Sequence, residues 1–123
     1  MPLDTKWAAF AKSDLISAEL LFREGVWNQV CCHSQQCAEK FLKGSLLPES
    51  RPRTHKIADL VRLTDFLALG DELKSRLRLL DRFYIPSRYP DALPGTLEDG
   101  MPTEEDARHS LETAKALEAA LNP

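Results

Sequence analysis

The run Tyr84-Ile85-Pro86-Ser87-Arg88-Tyr89-Pro90-Asp91 sets an arginine and a carboxylate between two tyrosines and two prolines. Proline holds φ and lacks a backbone donor, so the run reads as a stiff, polar, aromatic surface. A guanidinium binds phosphate through paired hydrogen bonds, and a tyrosine ring stacks on a base. Arg88 with Tyr84 and Tyr89 therefore suits a nucleotide or an RNA strand. Asp91 would orient Arg88 or accept a hydrogen bond from a base or sugar. The plainer alternative puts Tyr84 in the core, has Arg88 pair with Asp91 or cap a helix end, and lays Tyr89 over the protein body. Upstream, Lys74, Arg76, Arg78 and Arg82 are the densest basic group in the chain, offset by Asp71, Glu72 and Asp81. His55 and Lys56 would join the same surface if the fold brings them there.

A second polar set lies earlier. Gln29, His33, Gln36, Lys40 and Lys43 recur at spacings of four, three, four and three, so a helix gathers them on one face. Val30, Cys37, Ala38, Phe41 and Leu42 fall opposite. Glu39 stands four residues before Lys43 and can pair with it. The face is either solvated or lines a groove or subunit interface. His33 and Cys37 have a zinc-compatible i, i+4 spacing, but no CxxC pair or histidine–carboxylate set completes a tetrahedral site. Cys31, Cys32 and Cys37 read as reduced, packed thiols rather than as nucleophiles or a disulfide framework. No glycine-rich phosphate loop and no G-x-S-x-G turn is present. No catalytic residue, metal or cofactor is assigned.

These residues need elements to hold them. Apolar residues recur at helical spacing in five segments. The first spans 5–24, capped by Thr5, with Trp7, Ala11, Leu15, Ala18, Leu21 and Phe22 as its stripe. A second runs from 27 to 46, ended by Pro48. Thr54 caps the third, with Ile57, Leu60, Val61, Thr64 and Leu67 inward and Gly70 closing it. Leu73, Leu77, Leu80 and Tyr84 mark the fourth. The segment 85–102 follows, with four prolines and two glycines. Thr103 and the acids Glu104, Glu105 and Asp106 open the last helix. No segment alternates as a half-buried strand does. The expected fold is all-α, an antiparallel up-and-down bundle of about five helices in one domain over 1–123.

The totals agree. The chain has 123 residues, 43% hydrophobic and 28% charged, which suits one core. Net charge is −3, from 16 basic and 19 acidic residues, so the chain is no general nucleic-acid coat. No apolar run approaches the ~20 residues of a membrane span. With no charged-then-apolar leader at the start, a cytoplasmic location is expected.

Taken together, the segments resemble the HEPN family. The likeness rests on Asp14-Leu15 and Ala18, on Cys32-His33-Ser34-Gln35-Gln36-Cys37-Ala38-Glu39-Lys40-Phe41-Leu42-Lys43, on Thr54-His55-Lys56-Ile57-Ala58-Asp59-Leu60, and on the 84–91 run. It implies an antiparallel helical bundle that forms a homodimer and associates with ATP, GTP or RNA. It further implies a minimal nucleotidyltransferase as partner, in a toxin–antitoxin or stress-response module. Many family members are metal-independent ribonucleases in which an arginine is followed, after four to six residues, by a histidine. Arg88 matches the arginine, but Tyr89-Pro90-Asp91-Ala92-Leu93-Pro94-Gly95 contains no histidine. The resemblance thus implies a non-nuclease binding module built on Tyr84, Arg88, Tyr89 and Asp91, with His55, Lys56, His33, Gln36 and Lys40 in support. The alternatives are a divergent ribonuclease pairing Arg88 with His55 or His33, and a purely structural subunit.

Overall fold

Two turns and a hydrogen bond set the arrangement of the long helices. In the computed structural model, which describes residues 3–83 and 101–121, helix α1 spans Thr5–Arg23 and α2 spans Trp27–Gly44. Gly25, at φ +74°, makes the tight reversal between them. At the other end, Asp4 N donates to Gly44 O at 2.9 Å, so the start of α1 meets the end of α2 and the two run antiparallel. Helix α5, Glu104–Leu121, packs on both. Arg108 lies over the Phe22 ring and Lys12 pairs with Glu118, so α5 also runs against α1.

Helices α3 (Ile57–Leu63) and α4 (Asp71–Leu79) are short and fill the space between α2 and α5. A 3-10 turn, Leu80–Phe83, prolongs α4. Among the described residues every regular element is helical. The core joins Leu15 and Ala18 of α1, Val30, Phe41 and Leu42 of α2, Ile57 and Leu60 of α3, Leu77 of α4, Leu80 and Phe83 after it, and Leu111 and Leu117 of α5. Fully burying a leucine-sized side chain contributes roughly 1.5–3 kcal/mol. Among the described residues, the apolar stripes expected from the spacing are the faces that pack.

The helix ends differ from expectation in chemically clear ways. Asp4, not Thr5, caps α1, because its Oδ1 accepts from Lys6 N and Trp7 N. Thr54 Oγ1 accepts from Lys56 N, but α3 begins only at Ile57. Its first amides are received from a distance: Ile57 N and Ala58 N donate to Asp81 Oδ1 and Oδ2 at 2.7 and 3.0 Å. α3 stops at Leu63, short of Leu67, and a 3-10 turn over Asp65–Leu67 follows it. Thr103 does cap α5, reciprocally: its Oγ1 accepts from Asp106 N while its own N donates to Asp106 Oδ2.

Candidate functional site

Helix α2 presents more polar chemistry to the interior than its spacing foretells. Gln35, Glu39 and Lys43 are buried beside Ser34 and Cys37. Lys43 therefore leaves the polar face expected for it. Its Nζ lies 3.2 Å from Glu39 Oε2, which realises the expected i, i+4 pair in the interior. Glu39 also reaches across to the residues before α3, where both of its oxygens lie 3.3 Å from His55 Nδ1. Gln35 Nε2 donates to the His55 carbonyl at 3.0 Å. Gln36 Nε2 donates to Gln35 Oε1 at 2.9 Å, so the buried amide is satisfied at both ends. The imidazole itself is 57% exposed. Glu39 and Gln35 thus grip His55 by one ring nitrogen and its backbone, and Lys56 follows it at the surface.

His33 and Lys40 turn the other way, onto α1. Asp14 Oδ1 lies 2.8 Å from His33 Nδ1, and Asp14 Oδ2 accepts from Lys40 Nζ at 2.5 Å. Burial raises the Asp14 carboxyl, but the hydrogen bonds from His33 and Lys40 outweigh it and hold the group below its ordinary value. Lys40 also lies over the exposed Phe10 ring. The half-buried His33 and Lys40 are therefore engaged at Asp14, whereas Gln36 joins the set around His55 through Gln35.

Cys31 and Cys37 are buried; burial pushes the Cys31 thiol up to about 12 and the Cys37 thiol up as well. Ser110 Oγ donates to Cys31 Sγ at 3.6 Å. No group of three His, Cys, Asp or Glu side chains suited to a metal occurs among the described residues.

Asp81 connects the His55 set to the turn that follows α4. By receiving the Ile57 and Ala58 amides it ties the start of α3, just after His55 and Lys56, to the turn ending at Phe83. Tyr84 is the next residue in the chain. Tyr84, Arg88, Tyr89 and Asp91 lie outside the described residues. Beside Phe83 is a cleft of about 280 Å³ lined by Arg76, Arg82, Glu105, His109 and Thr113. Sequence reasoning missed His109 here. It is far from Arg82 in sequence, and only the packing of α5 against α4 brings the two together. His109 Nε2 is 3.4 Å from Glu105 Oε1. For Glu39, the spacing offers only Lys43 as a partner and conceals the reach to His55. No helix among the described residues is long and apolar enough to cross a membrane.

Comparison with known proteins places this geometry. The HEPN domain family model matches residues 5–122. The crystal structure of TT1696 from Thermus thermophilus superposes with a TM-score of 0.80 at 30% identity, covering 94% of this chain and 93% of that one. ST0689, an archaeal HEPN homologue, superposes with a TM-score of 0.68 at 31% identity, covering 99% of this chain and 94% of that one. No curated protein matches the chain.

Proposed function

This chain belongs to the HEPN domain family, and we propose that it serves there as a non-catalytic binding module for a nucleotide or RNA. In this reading it acts as a homodimer beside a minimal nucleotidyltransferase, within a toxin–antitoxin or stress-response system. Arg88 contacts phosphate, Tyr84 and Tyr89 stack, and Asp91 orients Arg88. His55 and Lys56 complete the surface. The observation that carries the reading is the Asp81 tie, which joins the start of α3 to the turn leading into Tyr84. The sequence supports the non-catalytic branch, since no histidine occurs between Tyr89 and Gly95. His33 and Lys40 belong to the ion cluster at Asp14 in this scheme and stabilise the bundle rather than touch the ligand.

The test is a calorimetric titration of the pure protein with ATP and GTP, beside Arg88→Ala. Binding by the wild type, lost in a folded Arg88→Ala, is the expected result. Absence of binding to nucleotide and to a co-purified nucleotidyltransferase would sink the proposal. RNA cleavage without metal, lost in Arg88→Ala and in His55→Ala, would replace it with the ribonuclease reading.

A further inference from the structure

Helix α1 carries a face that no other described element covers. Ala9, Phe10, Ser13, Ile16 and Leu20 are exposed along it, Phe10 at 66%, Ile16 at 49% and Leu20 at 52%. A large apolar side chain exposed alone is ordinary, but three on one helix face make a patch of the kind that meets another surface. The charges of α1 are kept off this face. Lys12 pairs with Glu118 of α5, Asp14 turns to α2, and helical spacing sets Glu19 and Arg23 on the side of Lys12. Ser17 Oγ donates to the Ser13 carbonyl at 3.0 Å, so that hydroxyl is satisfied within the helix. Lys6 closes the face at one end and Glu24 at the other, about 27 Å apart at the helical rise. Neither side chain enters an ion pair with another described residue. Each also has the wrong sign for its own helix: a cation in the first turn and an anion at the C-cap both oppose the helix dipole.

We propose that this face docks a second copy of the chain, α1 against α1 and antiparallel about a two-fold axis. The inference rests on the homodimer of the reading above and gives it a surface; it does not depend on nucleotide binding. In this register Lys6 of one copy meets Glu24 of the other, Phe10 meets Leu20 and Ser13 meets Ser17, each pair symmetric about position 15. Both mismatched ends then find an opposite charge, twice over in the symmetric pair. Beside Phe10 lies a hollow of about 360 Å³ lined by Lys6, Trp7, Phe10 and Lys40, where Leu20 of the second copy arrives. The order cation, apolar residues, anion is complementary to its own reverse, which is the requirement of an isologous interface. A different partner has no reason to mirror it.

The experiment is sedimentation equilibrium of the full chain over a range of concentrations. Ile16→Asp is expected to weaken the dimer about a hundredfold, since it sets two carboxylates near the axis and removes apolar contact. Lys6→Glu and Glu24→Lys should each weaken it about tenfold, because each reversal turns two attractions into repulsions. The double reversal should return the dimer to near wild-type strength. Both reversals suit the helix dipole, so a lost dimer does not come from unfolding, and circular dichroism checks that. A dimer that all these variants leave intact would overturn the α1 surface and keep the homodimer. Losses that add in the double reversal would overturn the antiparallel pairing. A monomeric wild type would remove the homodimer and this inference together, leaving nucleotide binding to its own titration. A monomer that binds a co-purified nucleotidyltransferase, and loses it in Ile16→Asp, would overturn the proposal by giving the face to that partner.

Discussion

Asp14 shows how a single side chain can hold two helices. It is a carboxylate of α1, mostly removed from water, that accepts from His33 and Lys40 of α2. Its folded-state value lies below the ordinary 3.8. A depressed carboxyl contributes stability that is fully present above the unfolded value and is lost as pH falls through the folded one. Asp14→Asn should therefore lower stability at pH 7 by about 1–3 kcal/mol, the scale for leaving hydrogen-bonded partners unmet. The gap between wild type and variant should narrow as pH falls below 3.8 and through the depressed folded-state value, where the Asp14 carboxyl takes up its proton. Urea unfolding at several pH values checks this; a gap independent of pH would refute it. His33, Gln36 and Lys40 were legible in the sequence as one polar group, but the structure divides it: Gln36 bonds Gln35, while His33 and Lys40 share Asp14. That partner was not legible, because Asp14 lies on another helix.

At the scale of elements, α3 is the least self-sufficient helix. It has 7 residues, too few to be stable alone, and no side-chain cap of its own. Asp81 supplies the missing acceptors from beyond α4. Asp81→Ala should cost about 0.5–2 kcal/mol, the usual range for a lost N-cap, and should raise hydrogen exchange first at the Ile57 and Ala58 amides. Unchanged exchange there would mean that the carboxylate does not hold the helix start. The apolar stripe of α3 was visible as Ile57, Leu60 and Val61. Its cap was not visible, since the residues before it, Thr54 to Lys56, offer a plausible local one. For α5 the local signal was sufficient: Thr103 and Asp106 lie three apart and cap each other.

The whole molecule is set by close approach between α1 and α2. A methyl group on Gly44 would lie 2.6 Å from Trp7 Cβ, a contact with an atom fixed directly to the backbone. Gly44→Ala should thus destabilise the protein by about 1–3 kcal/mol despite alanine's better helix propensity. Thermal unfolding checks it, and a raised midpoint would show that the helices can move apart at little cost. By itself the sequence determined the helical class, the number and approximate limits of the helices, the core stripes and the absence of the arginine-to-histidine ribonuclease spacing. Those properties follow from periodicity and local residue order, which any one segment carries alone. Only the tertiary structure decided that Glu39 grips His55, that Asp14 gathers His33 and Lys40, that Asp81 caps α3, and that His109 shares a cleft with Arg82. Each joins residues far apart in the chain, and the choice among possible polar partners is made by how the helices pack.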